Sequence, residues 1–242
     1  MTEAEWLVSA DPQAMLRWLA DTTHGPCLRA TDRKLRLFAC ACCRQVWPAL
    51  TDERSRRAVL VAERFVDGAA TQEERAAAWS AAWAAAWAAA RDAVGSAAWA
   101  AVGSAAWAAA GAAARDAVGS AAWDAAWDAA WSAAWAAAGA AAGAAARKTQ
   151  AALLRCLFGN PWRPADCGWD SGEVWRGDWL ITGQVLNLAR TIYADRDFAA
   201  LGILADALEE AGCQDAAVLG HCRGPGPHAR GCHALDLVLG KE

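Results

Sequence analysis

The C-terminal part of the chain carries the densest group of side chains that could bind a metal ion. Five of them offer the nitrogen and sulfur donors that zinc prefers: Cys213, His221, Cys222, His228 and Cys232. His233 follows directly after Cys232. His228 and Cys232 are four residues apart, a spacing that would place both on one face of a helix. Zinc is the one cofactor that this pattern suggests.

Ordinary packing is the competing explanation, and it is the one we expect. The spacing matches no standard zinc signature, and no C-x-x-C pair anchors it. Small buried cysteines are common in helical cores. We therefore predict a protein without zinc, and keep a metal-binding module as the alternative. No catalytic residue is predicted, because no Ser-His-Asp set, Cys-His pair with an orienting group or Gly-rich nucleotide loop can be recognised.

The turn at residues 223–230 is a second candidate site. Arg223, His228 and Arg230 could gather an anion at the N-terminus of the last predicted helix. However, the two prolines in this turn remove backbone donors that an anion site would need. The alternative is a stiff connector whose arginines are solvated or paired with acidic side chains of the preceding helix.

Residues 75–147 form a tandem repeat of four residues. Every fourth residue is Trp, Gly or Arg, and the residues between are mostly Ala. One change at the first base of the Trp codon gives Gly or Arg, which indicates an expansion followed by drift. Pro is absent and Gly stays on the register. Because both residues disfavour a helix interior, the array is predicted to be helical, and Thr71 with Glu74 should form a capping box at its start.

Tryptophans in this array form two short ladders. A period of four exceeds the 3.6 residues of a helical turn, so the register drifts by about 40° per repeat. The ladder residues are Trp79, Trp83, Trp87, Trp123, Trp127, Trp131 and Trp135. Neighbours at i,i+4 can stack, and their apolar area predicts self-association or contact with a protein partner. A hairpin turning at Gly103 would pair the ladders, and associated straight arms are the competing arrangement.

Composition argues against several classes of protein. A net charge of −4 and a pI near 5.6 disfavour a nucleic-acid partner. Residues 93–114 lack charged side chains, but their small residues and central Trp are unlike a membrane span with its aromatic belts. The N-terminus has no apolar signal region. Nine scattered cysteines fit a reducing cytoplasm better than a disulfide framework.

The predicted fold is all-α, with two small helical modules joined by a long Ala/Trp-rich helical arm. The modules cover residues 1–70 and 159–242, and the arm covers 71–158. The arm is either one continuous helix or a hairpin broken at a Val-Gly-Ser site. The predicted function is a non-catalytic interaction or spacer protein whose arm sets reach or association. A metal-binding or anion-binding module at the C-terminus, with or without enzymatic activity, is the alternative.

Local signals predict several helix ends in the two modules. Asp11-Pro12 should begin one helix as its N-cap and first residue, and Thr51 should cap another. Gly159-Asn160-Pro161 should end the arm. A last helix is predicted from near His228 to Leu239.

Three segments of the flanks carry a resemblance to a known family. They are TEAEWL at residues 2–7, DRKLRLFACACCR at 32–44 and HCRGPGPHARGC at 221–232. In these segments the chain resembles a paralogue-rich family of planctomycete bacterial proteins that has no assigned activity. The likeness covers roughly residues 1–75 and 148–242. The resemblance implies that the middle of the chain is Ala-rich and variable in length. It implies membership of the family but no particular function.

Overall fold

A computed structural model of the protein describes residues 1–21, 31–92, 144–162 and 183–241, and the side chains of all of these except Ala49 and residues 85–92. Within these ranges the regular secondary structure is helical and contains no strand. The predicted all-α class is therefore confirmed. None of the described helices is both long enough and apolar enough to cross a bilayer.

Ten α-helices lie in the described ranges. The first five are α1 (Glu3–Val8), α2 (Pro12–Ala20), α3 (Asp32–Gln45), α4 (Glu53–Val66) and α5 (Gln72–Asp92). The other five are α6 (144–158), α7 (Gly183–Asp195), α8 (Leu201–Glu210), α9 (Ala216–Arg223) and α10 (His233–Leu239). Short 3-10 segments, Trp47–Ala49 and Phe198–Ala200, lie between α3 and α4 and directly before α8.

Several helix ends follow from local capping chemistry. The carboxylate of Asp11 accepts hydrogen bonds from two amides of the first turn of α2, at 3.0 and 3.2 Å, as an N-cap residue should. Thr71 and Glu74 form the predicted capping box, with bonds of 2.8 and 3.1 Å. The start of α4 differs from the prediction. Asp52, and not Thr51, is its N-cap, because the Asp52 carboxylate accepts the Arg54 amide at 2.8 Å.

Contacts divide the chain into two compact units. The split unit consists of Met1–Lys34 together with Arg147–Glu242, and the middle unit consists of Leu35–Ala146. The sequence-based division at residues 70 and 158 follows composition instead of contacts. Because most of the array lies outside the described residues, that division stays a prediction.

In the middle unit, α5 packs against α4 through small side chains. Ala78 and Ala82 are buried in one cluster with Ala58 and Val61. Positions 78 and 82 share one face of α5 because they lie about one helical turn apart, and this face packs against α4. They do not belong to the tetrapeptide register. The buried apolar contact between these two helices thus includes alanines that lie outside the register.

The tryptophan register lies beside this contact. Trp79 and Trp83 are half-buried and stack with ring centroids 6.1 Å apart and planes at 23°. The other ladder tryptophans, Gly103 and the Val-Gly-Ser sites fall outside the part of the chain whose side chains are described. Association through the ladders therefore stays a prediction.

The α3–α4 contact combines a small core with a buried ion pair. Cys40 and Cys43 are buried among apolar neighbours, where they pack as ordinary small core residues. The guanidinium of Arg44 donates to the buried carboxylate of Glu63 at 2.8 Å. The same guanidinium lies 3.9 Å from the centroid of the Trp47 ring.

The split unit has an aromatic cluster at its N-terminal end. Trp18 and Trp162 stack with centroids 4.3 Å apart, and Trp6 packs against both at 5.8 and 6.3 Å. The indole nitrogen of the fully buried Trp6 donates to the carbonyl of Gly159 at 3.0 Å. This bond fixes α1 to the end of α6. Helices α7 to α10 enclose the larger apolar core of the unit.

A buried carboxylate joins the two segments of the split unit. Asp236 accepts hydrogen bonds from Arg33 at 2.6 and 3.2 Å and from Lys34 at 2.6 Å. Lys34 also donates to the carbonyl of Gly231 at 2.8 Å, and Arg33 donates to the Tyr193 hydroxyl at 2.9 Å. Every charged group of this network has several partners, as a buried ion pair requires.

Replacing Asp236 with Ala should strongly destabilise the split unit, because two nearly buried cations would lose their anion. The expected loss is about 3–5 kcal/mol in the free energy of unfolding, measured by urea denaturation followed by circular dichroism. The matched control is Asp206→Ala, which removes a carboxylate from the exposed pair with Arg223. This control should leave the midpoint nearly unchanged, because solvent screens the pair. Equal midpoints for the two variants would contradict the prediction.

Candidate metal centre

Four side chains of the split unit converge on one point. Cys156 lies in the last turn of α6, and His221 lies in the last turn of α9. His228 and Cys232 come from the segment that joins α9 to α10. One sulfur or nitrogen atom from each of the four lies within 4.8 Å of the others.

The hydrogen bonds indicate which ring nitrogens face the cluster. His221 Nε2 lies 3.2 Å from the sulfur of Cys232, and His228 Nδ1 lies 3.9 Å from the sulfur of Cys156. The other nitrogen of His228, Nε2, lies 3.2 Å from the carbonyl oxygen of Gly224. A carbonyl only accepts, so Nε2 donates to it, and Nδ1 is the nitrogen that faces the cluster. Metal-binding histidines are typically oriented by this kind of bond.

Two glycines shape the segment that carries His228 and Cys232. Gly226 and Gly231 have φ angles of +83° and +87°, which residues with a side chain rarely adopt. A Cβ atom on Gly226 would also lie 3.1 Å from the His228 ring. The prediction of a helix from His228 is wrong, because α10 begins at His233, after the left-handed Gly231. His228 and Cys232 therefore meet through a turn and not on a helical face.

The pKa values of the two cysteines in the cluster are shifted in opposite directions. Burial alone would raise the pKa of the Cys232 thiol, but hydrogen bonds with Cys156, His221 and His228 outweigh burial and hold that pKa well below its ordinary value. The hydrogen bond to Cys232, followed by burial, raises the pKa of Cys156 well above the ordinary value. Cys156 thus holds its proton more tightly than Cys232 does. A metal that binds both sulfurs would displace the Cys156 proton.

Two opposing effects determine the pKa of the His228 imidazole. Burial lowers its pKa, but the contacts with Cys232 and with the Gly224 carbonyl outweigh burial, so its pKa is raised. Both histidines of the cluster are partly exposed, while the two sulfurs are fully buried. The partly exposed members of the cluster are therefore its two histidines.

Two of the cysteines suggested by the sequence lie elsewhere. Cys213 and Cys222 are buried among the apolar side chains of the core, where their side chains pack as ordinary small residues. Burial, followed by the nearby Cys232 and Cys213, raises the pKa of Cys222 to about 12, and burial likewise raises the pKa of Cys213. Neither belongs to the group of converging donors.

The residues proposed for an anion site do not converge. Arg223 is exposed and pairs with Asp206 at 2.7 Å and with Glu209. The guanidinium of Arg230 lies 4.8 Å from the centroid of the Tyr193 ring. The third candidate, a histidine, belongs to the Cys/His cluster. Pairing with acidic side chains, the alternative considered from the sequence, describes Arg223.

Sequence reasoning missed Cys156 as a member of the cluster. It lies 72 residues from His228 along the chain, and spacing rules describe ligands that are close in sequence. Its local pattern is that of an apolar helix face directly before the Gly159-Asn160 helix stop. The tertiary fold alone brings it to the other three residues.

His233 lies beside the cluster without joining it. Its Nδ1 lies 2.9 Å from the main-chain oxygen of Cys156, and its ring is near Gly159, the residue that ends α6 with a φ of +61°. Burial is the main cause that lowers the pKa of His233 to about 4, so the ring is neutral at neutral pH.

The donor set favours zinc over other metals. Two sulfurs and two imidazole nitrogens form the tetrahedral S2N2 combination that zinc adopts in structural sites. With bond lengths of about 2.3 Å to sulfur and 2.0 Å to nitrogen, the donors of such a site lie roughly 3.3–3.8 Å apart. The observed spread of up to 4.8 Å requires a contraction of about 1 Å on binding.

A catalytic thiol is the competing interpretation of the same cluster. The Cys232 sulfur next to His221 has the donors of a Cys-His nucleophile. However, Cys232 is 0% exposed, so a substrate cannot approach its sulfur. A metal ion is far smaller than a substrate, and the two histidines of the cluster are partly exposed.

Comparisons with models of protein families, with curated proteins and with solved structures found no match to this chain. The resemblance to the planctomycete family therefore stays an expectation from the sequence.

Replacing Gly159 with Ala should destabilise the split unit by about 1–2 kcal/mol, because a side chain rarely tolerates a positive φ. The added Cβ would also lie 3.1 Å from two atoms of the His233 ring. The matched control is Gly220→Ala in α9, where an added Cβ meets nothing within 4 Å. The control should keep or raise the thermal midpoint, since Ala favours a helix. An unchanged midpoint for Gly159→Ala would contradict the predicted contact.

Proposed function

We propose that the split unit binds one zinc ion through Cys156, His221, His228 and Cys232, and that this ion holds the C-terminal helices in place. The convergence of these four donors carries the proposal. It reverses the preference from the sequence, which favoured packing because the Cys/His spacing matches no standard zinc signature. Cys156, which was not among the sequence candidates, completes a set of four donors with His221, His228 and Cys232.

The arrangement favours a structural site over a catalytic one. Four protein ligands fill a tetrahedral zinc, whereas catalytic zinc sites keep one position for water or substrate. The ion would join three pieces of chain, namely the end of α6, the end of α9 and the segment before α10. A metal link between these three pieces would contribute to the stability of the unit.

A spacer or association role for the array is a second proposal. The stacked Trp79 and Trp83 and the capped start of α5 support a helical arm that presents aromatic side chains. Tryptophan emission combined with small-angle scattering tests it, comparing the full chain with a variant that lacks residues 75–147. The protein partner, the absence of a nucleic-acid partner and the cytoplasmic location stay predictions.

Protein purified from zinc-supplemented cells should contain about one zinc per chain, because a single four-ligand site is present in the described structure. Cys156→Ala, His221→Ala, His228→Ala and Cys232→Ala should each reduce zinc to well below stoichiometry after passage over a chelating resin. Zinc is measured by inductively coupled plasma mass spectrometry against protein concentration.

Cys222→Ala is the matched control for the stoichiometry experiment. It removes a buried thiol from the same core but leaves the four donors intact. It should keep one zinc per chain even if it loses some stability to the small cavity. A wild-type protein without zinc, or equal zinc loss in Cys222→Ala, would show that the cluster is not a zinc site.

Removing zinc should lower the stability of the split unit. A ligand that binds only the folded state adds about 2.7 kcal/mol when its free concentration is 100 times its dissociation constant. Chelation followed by stepwise addition of zinc should therefore raise the thermal midpoint with the logarithm of free zinc. Magnesium at the same concentrations is the control, since it prefers oxygen ligands. A midpoint that does not respond to zinc would contradict a structural role.

A further inference from the structure

The His233 ring occupies the space between the end of α6 and the cluster. Its Nδ1 lies 2.9 Å from the main-chain oxygen of Cys156. A carbonyl oxygen only accepts, so Nδ1 carries the hydrogen and donates it. The last carbonyls of a helix have no intrahelical donor, and α6 ends at residue 158. His233 therefore satisfies a helix-end carbonyl at the residue that also supplies a zinc ligand.

Two neighbours fix the position of this ring. Gly159 approaches it so closely that an added Cβ would lie 3.1 Å from the ring atoms Cγ and Cδ2. On another side, the His221 ring has its centroid 4.2 Å away, with the planes inclined at 51°. His233 thus contacts one proposed ligand through its ring and another through its hydrogen bond. Its own ring nitrogens do not belong to the group of converging donors.

We propose that His233 is a positioning residue that sets the place of Cys156 relative to the other three ligands. The inference rests on the proposed zinc site. Cys156 comes from α6, whereas the other three ligands lie between residues 221 and 232. His233 directly follows Cys232 in the chain, so its bond to the Cys156 carbonyl connects the main chains of the two sulfur ligands. Such outer partners of metal ligands typically change metal affinity by roughly 10–100-fold when they are lost.

Two substitutions separate the hydrogen bond from the volume of the ring. His233→Phe keeps an aromatic ring but removes the donor. His233→Asn loses the ring but places an amide N–H about where Nδ1 lies. Both are made in the full chain, and Co²⁺ is the probe, because its visible absorption reports the number and kind of ligands. Affinity is measured by competition with a chromophoric chelator.

The proposal predicts different behaviour for these two variants. His233→Phe should bind Co²⁺ roughly 10–100-fold more weakly than the wild type, with an altered absorption spectrum. His233→Asn should keep the wild-type spectrum and lose only a few-fold in affinity. A residue that only caps α6 would lower the thermal midpoint without changing the spectrum of the bound ion. That result, or wild-type affinity in His233→Phe, would overturn the proposal.

A third variant covers the case in which His233→Phe does not fold. Gly159→Ala presses on the His233 ring from the α6 side and should weaken Co²⁺ binding in the same direction, whereas Gly220→Ala should not. If Gly159→Ala binds as tightly as Gly220→Ala, the positioning role is wrong. If both His233 variants lose a nitrogen ligand from the spectrum, His233 is a ligand and the proposal is overturned. Absence of Co²⁺ and Zn²⁺ binding in the wild type would refute the zinc site itself, and this inference with it.

Discussion

The buried carboxylate of Asp236 is the contact on which the split unit depends. It accepts hydrogen bonds from Arg33 and Lys34, so it fastens the start of α3 to the last helix of the chain. Its own amide donates to the carbonyl of Cys232 at 2.8 Å, which begins α10 at the residue next to the metal cluster. Burying three charged groups is unfavourable unless each is satisfied. Lys34 meets this condition through a further bond to Gly231, which lies one residue before Cys232.

Helix ends were predictable wherever a few neighbouring residues determine them. The Asp11-Pro12 start, the Thr71 capping box and the stop at Gly159 depend on side chains and backbone within about four positions, and all three appear as predicted. The starts of α4 and α10 were not predicted correctly. At α4, Thr51 and Asp52 are both good caps, and sequence gives no means to choose between them. At α10, the left-handed φ of Gly231 depends on the fold of the whole turn.

The metal cluster was predictable only in part, for a tertiary reason. His221, His228 and Cys232 are close in sequence and therefore visible as a group. Cys156 reaches them from α6, and nothing in the residues around it distinguishes it from a packed cysteine. Conversely, Cys222 has the same sequence neighbourhood as His221 but faces the apolar core. Three of the four donors were thus identifiable from the sequence. The fourth donor, and the direction in which each side chain points, required the helices to be placed.

Because the split unit is discontinuous in sequence, the number of tetrapeptides between its two segments can vary. Its two segments, Met1–Lys34 and Arg147–Glu242, are separated along the chain by residues 35–146. Arg33 and Lys34 must reach Asp236 whatever number of residues lies between them in the chain. In the unfolded chain, the entropy lost on closing a loop grows only with the logarithm of its length, so each doubling costs about 0.6 kcal/mol. A change in the number of tetrapeptides therefore adds only a small entropic cost to the pairing of the two ends.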